Sequence, residues 1–261
     1  MIQNPIRRVL STLSSHGVRY LLMGGQACIF YGAAEFSRDT DIAILGEAEN
    51  LAKLRAALTE LDAERIAVPE LDLGFLRRGH AVHFRCREES VAGIRLDIMS
   101  VMRGVDSFTV LWERRSTVQT PDGEAVDLLA LPDLVAAKKT QRDKDWPMIR
   151  RLVEAHYTQF ESSPTAERVG FWLREARTPD LLITLSDRYG EETGRAARSR
   201  PLLEHALKGD ADALERALED EARTERLRDR EYWAPLVKEL EDLRHAETRA
   251  RHAARRDVEQ P

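Results

Sequence analysis

The stretch that decides the fold is LLMGGQACIFYGAAEFSRDTDIAIL, residues 21–45. It begins with an apolar run of the length expected for a buried strand, and the pair Gly24-Gly25 interrupts that run. A short helical segment follows, and a second apolar run begins with Asp39 and Asp41. The order predicts a strand, a tight glycine turn, a helix and a strand that carries two acids.

The acids at positions 39 and 41 are candidates for metal binding. Side chains two residues apart on a strand lie on the same face, and two carboxylates so close repel unless a cation lies between them. An isolated Asp-x-Asp is commonly only a surface turn or a helix cap. The preceding glycine turn, however, allows a phosphate to approach the backbone. A metal and a triphosphate side by side are what phosphoryl or nucleotidyl transfer requires.

A third acid is expected on a neighbouring strand. Asp97 lies in the run Ile94–Met99 between two apolar residues, where an acid needs a partner. The alternative is that Asp97 faces solvent or pairs with a neighbour such as Arg95. His80 and His83 lie in a stretch that alternates like a strand, so we expect them on opposite faces, without a shared metal.

The rest of the chain predicts an α/β protein (also describable as α+β), with a mixed sheet flanked by helices and an all-helical C-terminal region. Hydrophobic periodicity predicts helices over 2–16 and 48–61, strands over 18–23, 40–45, 81–87 and 94–101, and a hairpin of 116–119 with 125–128. Beyond about residue 160 only helical patterns remain. We therefore predict a catalytic domain over 1–157 and a helical domain over 158–261.

Composition limits the classes of function. The net charge of −5 argues against a general nucleic-acid coat or a protein that binds anionic membranes, although 40 Lys and Arg leave room for a local basic groove. Cys28 and Cys86 are expected to be reduced core thiols, because no Cys/His cluster has zinc-ligand spacing. No apolar run approaches the length of a membrane span, so we expect a cytoplasmic protein with no membrane partner.

These motifs resemble the nucleotidyltransferase superfamily, which has the polymerase-β-like fold. The general signature is matched by Met23, Gly24, Gly25, Asp39, Thr40 and Asp41. Within the superfamily the chain looks most like the bacterial AbiEii-like and MNT-like branch. That branch has a Gly-Gly-x-Ala run and a later helix with a basic end, matched here by Gly24, Gly25, Ala27, Gly32, Leu131, Leu134, Lys138, Arg142, Lys144 and Asp145. The chain departs from common family residues at Gly25, where many members have Ser, and at Glu35, where relatives often have Arg.

The resemblance implies a nucleotidyltransferase fold, Mg²⁺ or Mn²⁺ as the metal and an NTP as the donor substrate. Asp39, Asp41 and Asp97 would hold the metals, and Asp97 would also act as, or orient, the base that deprotonates the acceptor hydroxyl. Phosphate contacts would come from Gly24, Gly25, Ser37, Arg38 and Lys138.

The implied function is transfer of a nucleoside monophosphate to an acceptor hydroxyl on RNA (tRNA) or protein, in a toxin–antitoxin or phage-defence system with a cognate antitoxin as partner. Two alternatives stay open at this point. One is adenylylation of a small molecule, as in aminoglycoside-modifying relatives. The other is a non-enzymatic antitoxin or binding module that keeps the fold.

Overall fold

The strands of the protein form one seven-stranded mixed sheet in the described residues. The computed structural model describes residues 4–120 and 123–259, with side chains described up to residue 252. Pro121 and Asp122, in the middle of the predicted hairpin turn, lie outside the described residues. The strands are β1 (Tyr20–Met23), β2 (Asp39–Ile44), β3 (Ala63–Arg65), β4 (Val82–Cys86), β5 (Arg95–Met99), β6 (Ser116–Gln119) and β7 (Ala125–Leu128).

The sheet order is β3-β4-β5-β2-β1-β7-β6. Strand β2 pairs antiparallel with β1 and parallel with β5, so the acid-bearing strand has a neighbour on each side. The hairpin of β6 and β7 has the bounds that the sequence predicted.

Twelve α-helices are found among the described residues. They are α1 (Asn4–Ser15), α2 (Gly24–Phe30), α3 (Ala48–Glu60), α4 (Leu73–Arg78), α5 (Phe108–Glu113), α6 (Leu131–Ala137), α7 (Asp145–Phe160), α8 (Ala166–Glu175), α9 (Pro179–Arg188), α10 (Gly190–Ala197), α11 (Leu203–Leu207) and α12 (Ala211–Glu259). The predicted helices over 2–16 and 48–61 correspond to α1 and α3. Every element after β7 is helical, which confirms the predicted fold class of a mixed α/β sheet with helices and a helical C-terminal region.

One face of the sheet carries the apolar core. Ile42 of β2 and Leu96 and Ile98 of β5 are fully buried on this face. Helix α1 covers it, and the Tyr20 hydroxyl on β1 donates a hydrogen bond to the carbonyl of Leu10 in α1, at 3.2 Å. Because strand side chains alternate, burial of these residues turns the acids of β2 and β5 to the other face.

The chain forms two compact units. The first comprises residues 1–26, 37–129 and 231–261, and the second comprises residues 27–36 and 130–230. Helix α12 contributes residues to both units. The domain boundary predicted between residues 157 and 158 falls inside α7 and stays a prediction.

Two smaller predictions concern cysteines and membranes. Cys28 and Cys86 are both buried and form no disulfide, as predicted. Among the helices in the described part of the chain, none combines the length and the apolar character needed to cross a bilayer.

Candidate active site

The candidate site lies at one end of the sheet, within the first unit, where four neighbouring strands present polar side chains in register. One row across the sheet pairs Met23 with Asp41, Asp41 with Asp97, and Asp97 with His83. Two residues earlier on β2, Asp39 lies opposite Arg95 of β5. The register therefore brings the three predicted acids onto one face of adjacent strands.

The glycine turn lies directly against this acid row. Gly24 follows the last residue of β1 and has a φ of +63°. A Cβ atom added to Gly24 would lie 1.9 Å from Asp41 Oδ2, and one added to Gly25 would lie 2.4 Å from Ser37 Oγ. No other residue type fits either position without displacement, so the two glycines allow the backbone to reach the acid and the serine.

A hydrogen bond from Gln26 fixes the loop that leads into the acid strand. Gln26 is fully buried, and its Nε2 donates to the Ser37 carbonyl at 2.9 Å. The Ser37 hydroxyl donates to the Asp39 carbonyl at 3.3 Å. These two bonds hold the start of β2 against the glycine turn, which positions Ser37 beside Gly25.

Asp97 is held by two cationic or potentially cationic neighbours. Its Oδ1 accepts hydrogen bonds from Arg95 Nε at 2.7 Å and from His83 Nδ1 at 2.8 Å. The Asp97 side chain is only 15% exposed. Burial opposes its ionisation, but the hydrogen bonds from His83 and Arg95 outweigh burial and hold the pKa of the carboxyl below its usual range.

Arg95 faces all three acids. It lies directly opposite Asp39 in the parallel ladder, two residues before Asp97. The hydrogen bond to Asp97, together with the charges of Asp97, Asp39 and Asp41, raises the pKa of the Arg95 guanidinium although burial opposes the shift. The Arg95 guanidinium therefore balances part of the negative charge of the three carboxylates.

The three acids have the residue type and the strand register expected of divalent-metal ligands, but their side chains do not converge on one point. Carboxylates are the ligands that Mg²⁺ and Mn²⁺ prefer, and the absence of a side chain at Gly24 lets the Asp41 carboxylate lie directly against the glycine turn. In the described residues, however, no group of three or more His, Cys, Asp and Glu side chains is arranged to hold a metal. Asp39 and Asp41 share one face of β2, whereas the Asp97 carboxylate is hydrogen-bonded to Arg95 and His83.

The other predicted phosphate contacts are divided between the two units. Ser37 lies beside Gly25, and Arg38 is an exposed residue of the same loop in the first unit. Lys138 belongs to the second unit, where its buried ammonium lies 3.5 Å from Asp145 Oδ1. A role of Lys138 towards phosphate stays a prediction.

Sequence reasoning missed two residues of this site. The spacing of His80 and His83 predicts opposite faces and assigns neither residue a partner, whereas in the structure His83 bonds Asp97 and His80 Nε2 lies 2.7 Å from Glu239 Oε2. Gln26 carried no signal beyond its place after the glycines. Alternation along β4 put His83 on one face, but only the strand order shows that this face is the acid face.

The fold was also compared with known proteins. No family model matches the sequence, and no curated protein matches it. The chain is similar to the crystal structure of a candidate nucleotidyltransferase from H. pylori, with 15% identity over 83% of this chain and 94% of that one and a TM-score of 0.37. At this identity and TM-score the likeness does not assign the chain to a family.

The first prediction tests the close approach of Gly24 to Asp41. Gly24→Ala and Gly17→Ala both place a side chain at a positive φ, but a Cβ at Gly17 meets nothing within 4 Å. We expect Gly17→Ala to lower the free energy of unfolding by about 1–2 kcal/mol. Gly24→Ala should lose about 1–3 kcal/mol more, because Asp41 must move. Urea unfolding of both variants measures the difference, and equal losses would show that Gly24 does not press on Asp41.

The second prediction concerns pH and Asp97. A carboxyl whose folded-state pKa is depressed contributes stability that is present above its unfolded pKa and is lost as pH falls through the folded pKa. Wild type should therefore exceed Asp97→Asn by about 1–3 kcal/mol near neutral pH. That difference should shrink below about pH 4. Unfolding measured across pH tests this, with Asp106→Asn as the control at an exposed ion pair. A difference that persists unchanged in acid would contradict it.

Proposed function

We propose that this chain is a metal-dependent nucleotidyltransferase that moves a nucleoside monophosphate from an NTP to an acceptor hydroxyl. The α–β phosphoanhydride bond would break, and pyrophosphate would leave. One observation carries the proposal: the backbone of Gly24 approaches Asp41 so closely that no side chain fits between them. A turn suited to phosphate and a carboxylate pair suited to a divalent cation therefore share one place. Transfer of a nucleotidyl group needs these two features side by side.

Each residue of the turn and of the acid pair has a role in this proposal. Asp39 and Asp41, on one face of β2, would hold the divalent cation, Mg²⁺ or Mn²⁺. When bound, the cation neutralises charge on the phosphate oxygens and supports in-line displacement at phosphorus. The peptide groups of Gly24 and Gly25 would lie along the triphosphate, and the Ser37 hydroxyl next to Gly25 would donate a hydrogen bond to it.

Asp97 would act on the acceptor. Its carboxylate lies across from Asp41 and is ionised at neutral pH, as the depressed pKa indicates. An ionised carboxylate at this position would orient the acceptor hydroxyl and accept its proton. His83, which donates a hydrogen bond to Asp97 Oδ1, would keep the carboxylate in place. Arg38 and Lys138 are further candidates for phosphate contacts.

The acceptor and the biological role are proposed from the motifs of the sequence. The resemblance to the AbiEii-like and MNT-like branch supports RNA (tRNA) or protein as the acceptor, within a toxin–antitoxin or phage-defence system that has a cognate antitoxin.

A second candidate is a non-catalytic binding module on the same fold. It is favoured by the hydrogen bonds that turn Asp97 towards Arg95 and His83. In such a module Arg95 would serve as a permanent counterion for the acids, and no metal would enter. The two candidates differ in one measurable property, which is turnover of NTP.

The third prediction tests transfer directly. The purified protein is incubated with each α-labelled NTP, Mg²⁺ and total cellular RNA, and label is followed in RNA and in protein. We expect label transfer by wild type and a loss of more than about 100-fold, equivalent to about 3 kcal/mol of barrier, in Asp41→Asn and in Asp97→Asn. Asp97→Asn should keep NTP affinity close to wild type, because Asp39 and Asp41 remain.

The matched control is Asp106→Asn, which removes an exposed acid paired with Arg114. It should transfer label at the wild-type rate. Transfer by no form of the protein with any NTP would favour the binding module, and full activity of Asp97→Asn would remove Asp97 from the site.

A further inference from the structure

Two arginines lie directly opposite each other beside the candidate site. Arg85 of β4 is in register with Arg95 of β5 in the antiparallel ladder. It points to the same face as His83, because Val82, Phe84 and Cys86 alternate with them into the core. Like charges directly opposite on neighbouring strands destabilise a sheet. A nearby anion stabilises such a pair.

The two arginines differ in their partners. Arg95 is neutralised by Asp97, to which it donates a hydrogen bond. The Arg85 side chain is exposed and makes no hydrogen bond or ion pair with any residue in 4–120 or 123–252. The acid opposite it on β3 is Glu64, and the Glu64 carboxylate pairs with Arg87. The Arg85 guanidinium is therefore available to an anionic ligand.

The position of Arg85 separates it from the glycine turn. The register row runs from Asp39 on β2 to Arg95 on β5 and Arg85 on β4. Strands are spaced by about 4.8 Å, so the backbone of Arg85 is roughly 10 Å from that of Asp39. The glycine turn follows β1, which lies on the other side of β2. A triphosphate on the glycine turn and an anion on Arg85 would flank the acids from opposite sides.

We infer that Arg85, together with Arg95, forms a phosphate-binding subsite for a nucleic-acid acceptor whose reacting hydroxyl lies at the acids. The inference rests on the proposed function, and it adds the residues that recognise the acceptor. A guanidinium binds phosphate oxygens through paired N–H donors, and phosphate contacts of this kind position a nucleic acid without reading its sequence. A cationic small molecule would be repelled by Arg85. A protein with a net charge of −5 would bind an anionic acceptor through local basic contacts of this kind.

The test compares binding of two ligands by full-length protein. A labelled single-stranded RNA of about 20 nucleotides is titrated at several salt concentrations, and a non-hydrolysable NTP with Mg²⁺ is titrated separately. The variants are Arg85→Gln and, as the matched loss of one positive charge, Lys53→Gln, whose side chain pairs with Glu49 on α3. We expect Arg85→Gln to weaken RNA binding about tenfold and to reduce the salt slope by about 1, with NTP affinity unchanged. Lys53→Gln should match wild type in both.

Several outcomes would overturn the subsite. The inference is wrong if wild type does not bind RNA, or if Arg85→Gln and Lys53→Gln bind RNA equally. It is also wrong if Arg85→Gln loses NTP affinity and keeps RNA affinity, because that result would assign Arg85 to the donor triphosphate. Failure of the proposed function is seen separately, as absence of label transfer by wild type. RNA binding that depends on Arg85, without any label transfer, would support the subsite and contradict the proposed enzymatic function.

Discussion

The site depends on the pairing of β2 with one antiparallel and one parallel neighbour. This pairing aligns Met23, Asp41 and Asp97 in one row, so the glycine turn after Met23 and the acid on β5 both meet the acid strand at the same level. A slip of one residue would turn every side chain of β2 to the other face. Burial of Ile42, Leu96 and Ile98 makes such a slip costly. The apolar core thus fixes the geometry of the polar face.

The polar face gathers negative charge that needs compensation. In this structure the compensation comes from Arg95 and His83, which bond Asp97 and lie in register with the acid strand. A divalent cation between Asp39 and Asp41 would contribute further positive charge. The carboxylates would then depend less on Arg95 for charge compensation. If Asp97 also joined the metal, as the resemblance implies, arginine and metal would be alternative partners of that carboxylate. Arg95 would then be available to an anionic ligand, which would connect the acids to the proposed phosphate subsite at Arg85.

The sequence predicted the elements of the site better than the contacts between them. Alternation and turn residues are local signals, so they located the acid pair on one face of a strand and the hairpin of β6 and β7. The contact of Arg95 with Asp97 is local to β5, and the sequence offers it as the alternative role of Asp97. The contact of His83 with Asp97 depends instead on which strands are neighbours, and that order is set by packing of the whole sheet. The assignment of the C-terminal half of α12 to the first unit likewise depends on tertiary contacts, which hydrophobic periodicity does not reveal.

The most direct test is a crystal structure of the protein soaked with Mn²⁺ and a non-hydrolysable NTP, with the metal located by its anomalous scattering. The account predicts an anomalous peak bound by Asp39 and Asp41, triphosphate density along Gly24 and Gly25, and Asp97 turned from Arg95 towards the metal. Metal and nucleotide bound elsewhere, or an acid row still paired with Arg95 at saturating ligand, would contradict it.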